Sequence, residues 1–131
     1  GTSDIYESIL ATLTKLKRTA SMKIFVWIDA ALNGLIFPFS KDRFRPLAFS
    51  QVNSICVDFH KAGMVPIPCG IVLYRKSLME NIRRKVSYLD RDDVTVIGSR
   101  SGIPAVAAYS VISYLGKTGF KRIIQKNQKR R

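Results

Sequence analysis

Short runs of β-branched and aromatic residues, too brief for helices, alternate along this chain with stretches of helical spacing. That alternation constrains the fold more than any other feature. Lys23 to Asp29 reads Lys-Ile-Phe-Val-Trp-Ile-Asp, the pattern of a buried strand. Ser54 to Val57 forms a second such run. Gly70 to Tyr74 is a third, entered through the stiff Pro66-Ile67-Pro68 segment, and a further short strand is expected near Val94 to Ile97. Between these runs, Ile5, Ile9, Leu13 and Leu16 recur at helical intervals over Asp4 to Leu16, with Ser3 or Asp4 available as the cap. A helix is expected over about Leu78 to Val86. Pro104 suits the first turn of a long final helix, interrupted near Gly116 and Gly119. Elements in this order predict an α/β layered sheet.

Composition sets the outer limits. The 131 residues suffice for one domain with a core, and 47% hydrophobic with 24% charged residues is ordinary globular usage. The apolar stretch Ile24 to Ala31 is soon broken by Asn33, Gly34 and Pro38, so no membrane association is expected. Gly1-Thr2-Ser3-Asp4 lacks the layout of a signal peptide and an initiator methionine, so a fragment or processed product is expected. Cys56 and Cys69 read as reduced thiols of a cytoplasmic protein. A zinc site of Cys56, His60 and Cys69 lacks a fourth ligand, and no metal is expected. The net charge of +13 is the unusual quantity. Lys117, Lys121, Arg122, Lys126, Lys129, Arg130 and Arg131 crowd the end of the last helix, where cations suit the macrodipole. No nucleic-acid recognition motif accompanies them, so solvated helix faces are the simpler reading.

In open α/β sheets function gathers at the carboxyl ends of the strands. Here those ends carry Asp29, the Asp58 to Lys61 group, and Ser99-Arg100. Asp29 is followed by Ala30 and Ala31, which leave room for a flat ligand beside a fixed negative charge, although an acid in such a place often only caps a helix. Lys61, just past a strand, is placed to lose solvation, lower its pKa and act as an amine nucleophile. Taken alone, an exposed loop lysine is the commoner reading. Gly98-Ser99-Arg100-Ser101-Gly102 precedes a helix and offers donors to an anion. Pattern alone therefore reaches an α/β domain with a candidate anion site.

The order of the groups carries more. Gly1-Thr2, Ile28-Asp29-Ala30-Ala31, Asp58-Phe59-His60-Lys61, Pro66-Ile67-Pro68-Cys69-Gly70-Ile71-Val72 and Gly98-Ser99-Arg100 follow one another across nearly the whole chain. The set resembles the group II pyridoxal-phosphate-dependent amino-acid decarboxylases. The Pro-Ile-Pro-Cys-Gly stretch and the spacing from Tyr88 to Gly-Ser-Arg look most like the bacterial histidine and plant serine decarboxylase branch. Glutamate decarboxylases and archaeal tyrosine or aspartate decarboxylases are similar but further away.

The resemblance implies the three-layer α/β/α large domain of the aspartate-aminotransferase-like (type I) fold, incomplete here. Residues 1–116 would belong to that cofactor-binding domain, and residues 117–131 would be a basic helical tail leading toward a small domain. It implies pyridoxal 5′-phosphate, held by Lys61 as a Schiff base, with Asp29 on the pyridine nitrogen and Ala31 against one face of the ring. His60 would contact the phosphate or handle protons, and Thr2 would lie near the ring. Ser99 would reach the cofactor phosphate of a neighbouring subunit, so a homodimer is expected. The implied reaction converts an L-amino acid, in histidine decarboxylase fashion, to the amine and CO₂. Alternatives are another lyase on the same scaffold and a basic, non-enzymatic module that binds nucleic acid or other anions.

Two departures stand out. Asp58-Phe59 replaces the Ser-Gly frequent before His-Lys, and an anion there would repel a phosphate. Ser101-Gly102 replaces Asn-Gly, which weakens the histidine-specific reading. An upstream phosphate loop, a ring-stacking histidine and a small domain have no counterpart in the sequence, so the isolated chain is not expected to be a working enzyme.

Overall fold

The structure, a computed structural model, describes residues 2–20, 23–40, 46–88, 90, 92–95 and 98–129, without the side chains of Thr2 and Ser3. Helix α1 spans Thr2–Thr19, strand β1 Trp27–Asp29, strand β2 Ser54–Asp58 and the short helix α2 Phe59–Ala62. Strand β3 spans Gly70–Tyr74, helix α3 Met79–Ile82 and helix α4 Ile103–Gln128. The strands form one mixed sheet in the order β1-β2-β3. Strand β1 runs parallel to β2, with Asp29 opposite Cys56, whereas β3 is antiparallel to β2, with Gly70 opposite Asp58. The start of β3 therefore lies beside the carboxyl end of β2.

The expected first strand contracts from Lys23–Asp29 to its last three residues. Its partner β2 begins only at Ser54, and upstream of that point Asn53 takes over. Its side-chain Oδ1 accepts the Val26 N–H at 2.7 Å, while Val26 O accepts the Asn53 N–H at 2.9 Å. The expected helix Leu78–Val86 is likewise short. A 3-10 turn at Lys76–Leu78 leads into α3, after which Arg84 and Asp93 exchange backbone hydrogen bonds of 2.8 and 2.9 Å as an isolated bridge. Backbone committed to that bridge cannot continue the helix. Val94 and Thr95 form no strand, because Asp93 Oδ1 folds back to accept both the Thr95 N–H and hydroxyl. Val96 and Ile97 lie outside the described residues.

Helix α1 keeps only one residue of the expected stripe in the core. Leu13 packs there with Tyr6 and buried Leu10, while Ile5, Ile9 and Leu16 are exposed. Positions 6, 10 and 13 share a helical face as good as 5, 9, 13 and 16, so periodicity could not rank them. The helix also starts earlier than expected, which puts Asp4 within its first turn rather than at the cap. Helix α4 has Pro104 in its first turn, and it breaks at Gly116, whose φ of 53° is left-handed and open to glycine without strain. Gly119 lies within the helix and does not interrupt it. Beyond the break, Phe120 and Ile124 are buried, and Phe120 stacks on Phe39 with ring centroids 6.4 Å apart.

The core runs through the sheet, gathering Ile28, Val52, Ile55, Val57 and Phe59 with Leu10 of α1 and Ala108 of α4. No described helix is long and apolar enough to cross a membrane. The link after β1 hugs β2, as Ala30 N–H donates to Cys56 O and Asp58 N–H to Ala31 O, both at 3.0 Å. Close approach continues at Gly34, where a Cβ would sit 2.6 Å from Cγ2 of buried Val57. Gly34→Ala should therefore destabilise the chain by about 1–3 kcal/mol through overpacking. Gly98→Ala, in open space, should stay within about 0.5 kcal/mol of wild type. Urea midpoints of the two variants check the contrast.

Candidate functional site

Because β1 and β2 are parallel, their carboxyl ends open on the same side and carry Asp29 and Asp58. An open cavity of about 260 Å³ lies there, lined by residues that include Asp29, Ala31, Gly34 and Lys61, with Tyr6 of α1 and Phe37. Asp29 and Ala31, neighbours in one turn, thus share a cavity with Lys61, which is distant from them in sequence.

The Asp29 carboxylate is fixed by its own turn. Oδ1 accepts the Ala31 N–H at 3.0 Å and the Cys56 S–H at 3.5 Å. The Ala31 bond, with help from the Cys56 thiol and Lys61, holds the carboxyl below its ordinary range, so Asp29 is an anion at neutral pH. The turn and the charge are separable properties, because an asparagine oxygen accepts the same N–H. Burial pushes the Cys56 thiol up, and the neighbouring Asp29 and Asp58 add to the effect.

Lys61 behaves otherwise than expected. Its Nζ is 2.9 Å from Asp58 Oδ2, and its side chain stays 43% exposed. The hydrogen bond to Asp58 raises the Lys61 pKa, outweighing desolvation, so the lysine rests as an ammonium rather than as a depressed-pKa amine. Desolvation is too weak here because the side chain remains in contact with water. His60 lies beside this pair. Its Nε2 is 3.6 Å from Asp58 Oδ2, and its Nδ1 lies within hydrogen-bonding distance of both Cys69 N and Cys69 O, at 3.1 and 2.9 Å. With its proton on Nε2 the ring accepts the Cys69 N–H and turns its own N–H toward the carboxylate, whereas with its proton on Nδ1 it donates to Cys69 O.

His60 and Ser99 are not among the residues lining the cavity. Ser99 is exposed in the loop before α4, where Ser101 Oγ accepts the Ile103 N–H at 3.2 Å. The Thr2 side chain lies outside the described part of the structure. The two cysteines diverge, with Cys56 on Asp29 and Cys69 Sγ toward Pro104 O. Among the described residues no group of three His, Cys, Asp or Glu is arranged for a metal ion. Tyr6 and Gly34 line the cavity and were given no role from sequence, and Cys56, weighed there only as a zinc ligand, bonds to Asp29. For Cys56 the signal was available, since it sits two residues before Asp58 on a strand and so shares its face.

Comparison with known proteins places this geometry in a family context. The model of the pyridoxal-dependent decarboxylase conserved domain matches residues 5–130. A probable L-tyrosine/L-aspartate decarboxylase of Methanosphaera stadtmanae is 34% identical over 117 residues, covering 84% of this chain and 30% of that protein. Its counterpart in Methanocella arvoryzae is 37% identical over 107 residues, covering 77% and 28%. The chain therefore spans under a third of the length of these curated relatives. The structure of a Lactobacillus brevis glutamate decarboxylase superposes with a TM-score of 0.76 at 25% identity, covering 89% of this chain and 28% of that one. A Burkholderia pseudomallei sphingosine-1-phosphate lyase superposes at 0.68 and 20% identity, covering 88% and 28%, a likeness of fold alone. The fold is that of the type I pyridoxal-phosphate enzymes, represented by a partial α/β unit with a small sheet.

The depressed Asp29 pKa has a signed consequence. Its contribution to stability is present above the unfolded value of 3.8 and is lost as pH falls through the lower folded value. Asp29→Asn should keep the turn while removing this part of the acid-side loss, so its urea midpoint should fall less steeply than wild type between about pH 2 and 5. Equal slopes in the two proteins would contradict the assignment.

Proposed function

Because this chain belongs to the pyridoxal-dependent decarboxylase family, we propose that it is the cofactor-anchoring part of an amino-acid decarboxylase, with Lys61 as the lysine that carries pyridoxal 5′-phosphate. The observation that supports this most is the shared cavity. An amine, an ionised carboxylate and the small side chain of Ala31 line one opening at the carboxyl ends of two parallel strands. That donor set fits the ring end of the cofactor. Bound there, the cofactor supplies an electron sink for the breaking C–COO⁻ bond.

The roles of the chain's own residues follow from their chemistry. Asp29, held as an anion by Ala31 N–H, keeps a proton on a ring nitrogen. Ala31 leaves space on one face of a flat ring. His60, oriented by Cys69, serves the phosphate end or proton handling. By the family resemblance Thr2 would lie near the ring. Ser99, exposed and outside the cavity lining, would reach the cofactor phosphate of a second subunit in a homodimer. Residues 1–116 belong to the cofactor-binding domain, and the basic segment 117–131 leads from it.

The substrate reading has two supports that differ. The Pro66 to Gly70 motif resembles the histidine branch, whereas the relatives described above are named for tyrosine and aspartate. The reaction common to both is loss of CO₂ from an L-amino acid. Release of CO₂ from histidine, tyrosine or aspartate by a protein containing this chain decides among them. A product that retains the carboxylate would favour a different lyase reaction.

Two measurements test the anchoring assignment. Treatment with pyridoxal 5′-phosphate and borohydride should fix a pyridoxyl label on Lys61, located by peptide mapping, and Lys61→Ala should abolish it. A label on Lys23 or Lys76 instead would sink the assignment. In the active protein, Asp29→Asn should leave the circular-dichroism spectrum unchanged and slow decarboxylation by orders of magnitude, as loss of a preorganised charge requires.

A further inference from the structure

Asp58 occupies the position that ordinarily caps a helix. It immediately precedes α2 with extended backbone angles of −94° and 109°, yet its side chain makes no capping hydrogen bond. Its carboxylate is turned instead to Lys61 Nζ at 2.9 Å and lies 3.6 Å from His60 Nε2. Gly70, opposite Asp58 in the register, leaves the room this requires, since a Cβ there would lie 3.1 Å from Asp58 Oδ1. A carboxylate withdrawn from its capping duty and seated against the lysine of the cavity has a consequence for that lysine.

We propose that Asp58 is a positioning residue for Lys61, holding it as a parked ammonium in the cofactor-free chain and setting the pH at which the amine becomes available to an aldehyde. This rests on Lys61 being the cofactor lysine. Addition to an aldehyde uses the nitrogen lone pair. The ammonium first gives its proton to solvent, then the C–N bond forms and the carbonyl oxygen leaves as water. An ion pair that stabilises the ammonium therefore slows loading at neutral pH. The other groups around Lys61 are Asp29 of β1, Cys56 of β2, His60 of α2 and Tyr6 of α1. The two carboxylates act in the same direction on Lys61, and Asp58 is the one in direct contact.

The test uses the full chain, without cofactor and then with it. Trace acetylation read by peptide mass spectrometry over about pH 7–11 follows the Lys61 amine itself. Asp58→Asn, which keeps the shape of the side chain, should move the Lys61 profile to lower pH, and Asp58→Glu should move it back toward wild type. Borohydride-trapped pyridoxal 5′-phosphate labelling of Lys61 should become severalfold faster near neutral pH in Asp58→Asn, its profile moving in the same direction. An acetylation profile unchanged in Asp58→Asn overturns the proposal, whatever happens on labelling. A shifted profile with no pyridoxyl on Lys61 in any variant leaves the ion pair real but overturns both the loading role and the cofactor reading. Circular dichroism identifies a variant that has lost its fold. Should Asp58→Asn do so, Asp58→Ser supplies the uncharged comparison, and the same outcomes decide.

Discussion

The parallel pairing of β1 with β2 is the constraint on which the site depends. Side chains alternate along a strand, and parallel strands end on the same side, so Asp29 opposite Cys56 puts the carboxyl ends of β1 and β2 within two residues of each other. An antiparallel pairing would send Asp29 to the far edge of the sheet from Lys61. The pairing is secured beyond the short ladder by the Asn53 side chain below it and by the Ala30 and Asp58 amides above it. Three residues of regular strand suffice because hydrogen bonds on both flanks continue the alignment.

Electrostatics around the site is local, despite the large net charge. Asp29 and Asp58 are both anions beside one lysine, yet their surroundings assign them different work. Asp29 is bound to its own turn and to a thiol, which leaves it facing the cavity. Asp58 is turned to the Lys61 ammonium and lies 3.6 Å from the His60 ring. Part of the positive charge is structural. Arg75 donates to the carbonyl oxygens of Val52, Phe49 and Leu47, at 2.8, 2.6 and 3.3 Å, closing the segment that leads into β2. The basic segment after Gly116 is attached through Phe120 and Ile124, so its cations ride on a helix that has an apolar seat of its own.

Strands β2 and β3 could be read in the chain because continuous apolar runs bounded by polar or proline-rich segments have few alternatives. The strand at Lys23 and the helix at Leu78 were overextended for a shared reason. Each local pattern continued past the point where its partner stopped, and a partner is a property of another segment. The apolar stripe on α1 held only at Leu13 for the same reason, because Ile5, Ile9, Leu13 and Leu16 form as regular a series as Tyr6, Leu10 and Leu13.

By itself the sequence determined the alternation of elements, the family resemblance, and the presence of an acid, a small residue and a lysine at strand ends. Those are properties of residue type and order, which a chain carries before it folds. Tertiary structure alone decided that Asp29 and Lys61 share a cavity while His60 and Ser99 stand outside its lining, and that Lys61 rests as an ammonium. The charge state of a lysine depends on its distance from a carboxylate and on its contact with water. Both follow from how α2 leaves β2, with Asp58 turned to the lysine rather than to the helix end.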